Sequence, residues 1–530
     1  MKKQILRKTL RFHELLLMAF PVLIAIIVRL YRITETIRFR GDQGMDLIVI
    51  WHMEHMGHLP LVGPFLSLKD FYTPPTYYYL TWFLYHLTQS VSGIVIGYFF
   101  MNIISLILLM KLAWNMGGKR LAFIVGGLFA ISLIMIDHSR QFWQPFPMQL
   151  FIIISLLCLW RAFNRKNLTA LWISTTSYMI ALSVYPSPIL LLPYMGYQIT
   201  RWYRNIGKRS AFQSLLFSGA TLIITFIAIY TPQIIFEINH ELPSFTFTGS
   251  LSAHVNLHTI ITGISENIFF FFSSFLSAHI YFPNEAFYIT AFTIILFTAM
   301  IKWHTFSKTT RAFLAPEMLA MGLVFLLLYQ QDVHDHRMWA YLPFMFLITG
   351  MSVQQALNAK GFQKTLAVII IFIYSLLNIS GFSPYITGRI INETSETIAI
   401  AQFIKHSMDE RRLTQHNTGF FHKVPLNPDN SSYAIYRVLY WLIENHTISV
   451  PLKREGNEPE FEYRFPILKT YMYAICQRFT SIPDAEANCI KPIIGTKRYT
   501  TLETKKVGRA YIFILRDQSI VAEPISEFSE

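Results

Sequence analysis

Apolar residues in this 530-residue chain come in long unbroken runs. The first is "LLLMAFPVLIAIIVRLY" (15–31). Similar runs follow near 92–115, 121–137, 146–161, 168–184, 187–201, 211–230, 286–301, 314–330, 339–356 and 365–382. Crossing a hydrocarbon core of about 30 Å takes about 20 apolar residues, and these runs reach or approach that length. The pattern predicts an all-α polytopic membrane bundle of about eleven spans. Arg29 and Arg32 flank the end of the first run and no small-residue cleavage site follows, so that span is expected to be retained. The semi-apolar "ENIFFFFSSFLSAHIYF" (266–282) is read as a helix on, or re-entering, the outer face, because counting it as a span would invert every later loop. From about residue 390 the long runs stop and charges rise. "SETIAIAQFIKHSMDERR" (395–412) has helical periodicity and "RAYIFILRD" (509–517) reads as a strand. Two regions follow: a transmembrane domain over 1–389 with long outer loops at 32–91 and 231–285, and a small mixed α/β domain outside the membrane over 390–530.

Composition agrees, at 53% hydrophobic residues and a mean hydropathy of +0.38. The net charge of +14 would suit nucleic acid if it formed one patch. It is instead dispersed over short loops without Asp or Glu, such as "GGKR" (117–120), "RWYRNIGKR" (201–209) and "NAKGFQK" (358–364). The intervening loops carry the acids. The positive-inside rule places the N-terminus in the cytoplasm, and the odd span count places the C-terminal domain outside the cell (plasma or inner) membrane. The charge is a topology signal, and no nucleic-acid partner is expected. Of three cysteines, Cys476 and Cys489 fall in the outer domain, where a disulfide is favoured over two free thiols. No further Cys or close His completes a metal site there.

Candidate chemistry concentrates in the outer loops. In "RFRGDQGMDLIVIWHMEHMGHLPLVGPF" (38–65), Asp42 and Asp46 stand four apart, so on a helix starting near Gly41 they face the same way. Asp42 as a helix cap is the plain alternative; the pairing of two acids in a Gly-rich turn after a span weighs for function. Lys69, Tyr72 and Tyr78 surround Pro74-Pro75, where Lys69 is a candidate phosphate contact and the tyrosines are sugar-stacking or interfacial groups. "IDHSRQFWQPFP" (136–147) supplies Asp137 and Arg140, and "YQQDVHDHRMWAYLPF" (329–344) supplies His336 and Arg337. Arginine's planar fork suits phosphate, while snorkelling to lipid headgroups is the alternative. The His and Asp spacing fits no recurrent metal motif. Together these groups fit a reaction in which a carboxylate takes an acceptor's proton, basic side chains stabilise a leaving phosphate, and the bundle holds a polyprenyl chain.

Acids in the first outer loop followed by a PP-x-YY run resemble the GT-C glycosyltransferases. The nearest type is glycosyltransferase family 39, the protein O-mannosyltransferase and aminoarabinose transferase group. "GDQGMDLIVI…GHLPLVGP", then "YYYL", then "SRQFWQPFPMQLF" resembles a bacterial subgroup reading GDQGRD…LPLIGP…YYYL…WNPN. "TPQIIFEINHELPSF" (231–245) looks like the subgroup's long outer loop. The resemblance spans most of 10–385. It implies an inverting transfer of a sugar from a polyprenyl phosphate-linked donor to a glycan, lipid or protein acceptor, with Asp42 as the first-loop acid. Thr73 stands where aminoarabinose transferases carry Lys, and Gln144–Pro145 lie near where many members carry a second Asp. A second carboxylate is then Asp46 or Asp137, or is absent. No cofactor is required; a divalent cation shared by Asp42 and Asp46 is the alternative.

A transporter or flippase of lipid-linked sugars would show charges at mid-membrane depth and often internal repeats; the ionisable groups here gather in loops. A polysaccharide polymerase or ligase remains a second transferase reading. The topology makes a direct prediction. A reporter active only outside the cytoplasm should be active when fused after residue 390 and silent when fused after residue 206; a silent C-terminal fusion would invert the assignment.

Overall fold

The computed structural model describes residues 18–37, 41–64, 72–205, 208–239, 307–316, 339–386, 393–414, 417–423, 431–448, 470–477, 481–491 and 499–518. They form two compact units. The first comprises Met1–Thr34 with Leu61–Ile390, the second Glu35–Pro60 with Ile391–Glu530. The division near 390 falls where the composition changes. The segment 35–60, expected with the bundle as part of its first outer loop, instead belongs to the C-terminal unit.

The first unit is helical: α1 (Met18–Leu30), α3 (Thr76–Thr88), α4 (Val91–Ile131), α5 (Leu133–His138), α6 (Met148–Arg165), α7 (Leu168–Val184), α8 (Leu192–Asn205), α9 (Lys208–Asn239), α10 (Leu342–Asn358) and α11 (Phe362–Ile386); α2 (Gly41–Met56) belongs to the second unit. Among the described residues, four helical stretches are long and apolar enough to cross a membrane: Val91–Ile131, Met148–Arg165, Gly219–Asn239 and Phe362–Ser383. α1 and α7 are apolar but shorter. The expected span at 286–301, most of that at 314–330 and the run 266–282 lie outside the described residues. The expected span 187–201 is a 3-10 turn (Ser187–Leu191) leading directly into α8, with Gln198 buried and donating to the Ala312 and Phe313 carbonyls at 3.1 Å. On α11, Val368, Ile369, Phe372, Leu376 and Ile379 form an exposed stripe, and Phe20, Leu23, Ile27 and Leu30 do the same on α1. Stripes of this size are costly in water and ordinary against lipid. α10 is buried on every side from Leu342 to Val353, which places it inside the bundle.

α4 bends where "GGKR" was read as a loop between two spans. Gly118 has φ +81°, a conformation that favours glycine, and Gln354 of α10 donates to the Gly117 carbonyl at 3.2 Å. A second break, at Ser132, separates α4 from α5. Helix ends leave carbonyls and amides without partners, and an apolar bundle offers no water to satisfy them. Side chains do so here. Tyr374 donates to the Leu128 carbonyl at 3.0 Å. Arg29 donates to Phe129 and Ala130 carbonyls at 3.1 and 2.7 Å. The Leu133 amide donates to Asn378 Oδ1 at 2.7 Å.

The second unit holds α2, α12 (Glu393–Glu410), β1 (Thr418–Lys423), α13 (Ser431–Glu444), β2 (Tyr471–Gln477), β3 (Tyr499–Val507) and β4 (Ala510–Asp517). Its sheet has the order β1-β2-β4-β3. β1 runs parallel to β2 through the α13 crossover, with Thr418 opposite Tyr471. β2 is antiparallel to β4, and β3 and β4 form a hairpin. β2 reads "YMYAICQ", nearly continuously apolar, because both faces are covered. Met472, Ala474 and Cys476 pack with Ala485, Cys489 and Ile490. Tyr473 on the other face donates to Ser407 of α12 at 2.9 Å. The Cys476–Cys489 disulfide ties β2 to the turn covering it, across a separation of 13 residues. Closing a loop of about 15 residues stabilises by about 3 kcal/mol on the chain-entropy account. Replacing both cysteines with Ala should therefore lower the unfolding free energy of this unit by about 2–4 kcal/mol, measured by denaturant unfolding with and without reductant; an unchanged midpoint would show that the bond adds nothing to a core already complete.

Candidate functional site

α2 starts at Gly41, which puts Asp42 in its first turn, near the positive end of the helix dipole. Asp42 is exposed, whereas Asp46, one turn on, is only 3% exposed. The two acids share a helix but not an environment: Asp42 lies at the surface and Asp46 belongs to the interior of its unit. Between them sits Gly44. A Cβ there would lie 2.5 Å from the Arg437 amide nitrogen of α13, so the two helices touch backbone to backbone. Leu47, Ile48, Val49 and Ile50 are fully buried. Further along, Trp51 stacks on His55 with centroids 4.6 Å apart and meets His52 edge-on at 5.6 Å. Burial, with His58 adding to it, pushes the His52 imidazole down to about 4.

In the bundle, the chain on either side of 65–71 pairs with itself. The Gly63 amide donates to the Thr73 carbonyl at 2.6 Å, and the Thr73 hydroxyl donates to the Pro64 carbonyl at 3.3 Å. A Cβ on Gly63 would sit 2.3 Å from the Pro74 carbonyl oxygen, so only glycine permits the approach. Tyr72 is 7% exposed, meets Phe236 of α9 edge-on at 5.4 Å, and its carbonyl accepts from Gln233 at 2.7 Å. Tyr78 is 3% exposed and lies beside Tyr77. Both tyrosines expected as sugar-stacking or interfacial groups are buried, Tyr72 against the end of α9 and Tyr78 beside Tyr77. Lys69 lies outside the described residues.

Asp137 and Arg140 are drawn into one cluster with Tyr385 of α11. The Tyr385 hydroxyl donates to Asp137 Oδ1. The Arg140 guanidinium lies 4.8 Å from the Tyr385 ring and 5.4 Å from Phe382, and donates to the Val28 and Tyr31 carbonyls at 2.8 and 2.7 Å. Arg140 is 1% exposed while Asp137 is half-buried. The fork expected on a phosphate is engaged here with the carbonyls at the end of α1. Beside it, His138 stacks on Phe146 at 4.2 Å and meets the Trp339 ring at a 50° tilt at 4.4 Å, and Gln149 donates to the Trp339 carbonyl at 2.6 Å. The loop 136–147 and the described end of the stretch 329–344, from Trp339 on, therefore meet through aromatic rings. His336 and Arg337 lie outside the described residues. Among the described residues no group of three or more His, Cys, Asp or Glu is placed to hold a metal ion.

Tyr385, Glu237 and Asn378 are not candidate functional residues by sequence. The first two sit at the ends of apolar runs, where an interfacial Tyr or Glu is unremarkable, and nothing local marks Tyr385 as the partner of an Asp 248 residues away. Glu237, 4% exposed, was counted only as a loop acid.

The bundle of long apolar helices and the small sheet-bearing unit are the parts of a GT-C fold, which the likeness to solved structures supports. The chain is similar over 94% of its length to ArnT from Cupriavidus metallidurans, which it covers over 97%. The apo structure gives a TM-score of 0.53 at 12% identity, and the structure bound to undecaprenyl phosphate gives 0.56 at 13%. No protein-family model and no curated protein matches the chain. These identities establish the fold.

The acid-bearing helix carries its own pH sensitivity. An unfolded histidine binds its proton near 6.5, above the folded value of about 4, so the unfolded state gains protons first as pH falls. The stability that neutral His52 allows is complete above about pH 6.5 and is lost progressively as pH falls toward 4. Thermal midpoints followed by tryptophan fluorescence should drop across that window in the parent and drop less in His52→Gln; equal slopes would remove His52 from the account.

Proposed function

We propose that this chain is an inverting glycosyltransferase of the membrane, taking a sugar from a polyprenyl phosphate-linked donor to a glycan, lipid or protein acceptor. The observation that carries the reading is the likeness over 94% of the chain to ArnT, one structure of which holds undecaprenyl phosphate. The reaction follows from the groups present. Asp42, exposed on the first turn of α2, takes the proton of the acceptor's hydroxyl or amine. The acceptor atom attacks the anomeric carbon, the bond from that carbon to the phosphate oxygen breaks, and its electron pair leaves with the polyprenyl phosphate. Inversion follows from a single displacement. Lys69 and Arg337 are the proposed stabilisers of the leaving phosphate, so no metal is needed in principle. Asp137, held by Tyr385, is the proposed second carboxylate, because Asp46 is buried.

The Cys476–Cys489 disulfide supports an oxidising side for the C-terminal domain, in line with a cytoplasmic N-terminus and an extracytoplasmic C-terminus in the inner or plasma membrane. A transporter or flippase gains no comparable support. Arg29, a charge buried in the described spans, is occupied by Asn102 and the helix-end carbonyls.

The test is donor consumption by the purified full chain in nanodiscs, offered radiolabelled mannosyl, glucosyl and aminoarabinosyl undecaprenyl phosphate. Transfer of one of them is expected. Asp42→Asn should then cost about 10²–10⁴-fold in single-turnover rate with an unchanged thermal midpoint, whereas Asp46→Asn should lower the midpoint as well. Full activity in Asp42→Asn would leave that carboxylate a helix-dipole partner only.

A further inference from the structure

The helix that carries Asp42 is separated from the rest of its unit by more than three hundred residues of membrane bundle, yet it is built into that unit. A 16-residue helix is marginal in water by itself. Gly44 makes it weaker still, since glycine in a helix interior costs about 1 kcal/mol against alanine. The geometry shows what that glycine permits. The α2 backbone meets α13 so closely that a Cβ would fall within 3 Å of the Arg437 amide nitrogen, the Arg437 Cα and the Tyr436 carbonyl carbon. Around this crossing Leu47, Ile48, Val49 and Ile50 of α2, and Val438, Leu439, Leu442 and Ile443 of α13, are at most 1% exposed.

α13 is itself fixed from behind by a chain of buried polar groups. Arg437, 7% exposed, donates to Gln477 Oε1 of β2 at 3.2 Å. Gln477 Nε2 donates to Glu396 Oε2 of α12 at 2.9 Å. Glu396 also accepts from the Arg509 amide at 2.7 Å and from its guanidinium at 3.0 Å, at the β3–β4 turn. That turn is shaped by Gly508, at φ +58° and tight against the Glu396 side chain. Such a chain is directional, unlike the apolar contact around it, and leaves α13 one rotation in which every member is partnered.

We infer that the C-terminal domain is the positioning scaffold of the acid helix, with the Gly44 crossing setting the place of α2 and Arg437 and Gln477 acting as positioning residues for Asp42. The inference rests on Asp42 being the base of the proposed transfer. It gives a domain remote in sequence a direct part in the reaction, since a misplacement of about 1 Å can cost on the order of 10²-fold in rate.

The experiment reads structure and turnover separately, on the full chain in nanodiscs. Hydrogen exchange of the amides of 41–56 and steady-state transfer from the radiolabelled undecaprenyl phosphate sugars are measured in the parent, Gly44→Ala, Gln477→Leu, Arg437→Met and Arg437→Lys. Gly44→Ala leaves the polar chain whole, so it isolates the crossing should Gln477→Leu fold poorly. Expected are faster exchange in 41–56, kcat lowered about tenfold or more with donor KM unchanged, and partial recovery in Arg437→Lys relative to Arg437→Met. Unchanged exchange in Gly44→Ala and Gln477→Leu would overturn the scaffold; faster exchange with full kcat would overturn the positioning role. Should the parent itself consume none of the donors, the transferase reading fails, and the exchange data still decide whether the domain holds α2.

Discussion

Helix ends inside an apolar bundle must find donors and acceptors within the protein, and the structure solves this by a reciprocal exchange between two arginines. Arg29 leaves α1 to satisfy the last carbonyls of α4, while Arg140, just past α5, returns to satisfy the Val28 and Tyr31 carbonyls at the end of α1. Each guanidinium is buried and each ends the other's helix. Tyr374 and Asn378 supply further partners at the break, to the Leu128 carbonyl and the Leu133 amide. The placement of Asp137 beside Tyr385, and of His138 against Trp339, follows from where that break lets α5 turn.

The second unit relies on a different kind of constraint. Its sheet is covered on both faces and stapled by the Cys476–Cys489 bond. Its helices are aligned by the Arg437–Gln477–Glu396–Arg509 chain. Apolar burial alone would hold α13 against the sheet in several rotations. The polar chain selects one, and the Gly44 contact transmits it to α2. A small domain thereby holds the helix with the exposed carboxylate.

The bundle was largely legible in the sequence, because lipid as solvent leaves a strong one-dimensional signature. Runs near 92–115, 146–161, 168–184 and 365–382 became helices close to those bounds. The break at Gly117–Gly118 falls in the basic GGKR stretch expected between two apolar runs. The run at 187–201 divides into a 3-10 turn and the start of α8, a change of helix type that its apolar content does not mark. The tyrosines at 72 and 78 misled for a related reason: an interfacial and an interior tyrosine look alike until the neighbours covering them are known.

Sequence by itself determined the apolar runs, the charge asymmetry of the loops, the change of character near 390 and the presence of acids in the stretch after the first run. Each is a local property, set by a few consecutive residues and their solvent. Only the tertiary structure decided that Asp42 is exposed and Asp46 buried, that Arg140 is engaged by helix-end carbonyls, and that residues 35–60 fold with 391–530. These depend on partners tens to hundreds of residues away. No local pattern encodes which helix will press its backbone against Gly44.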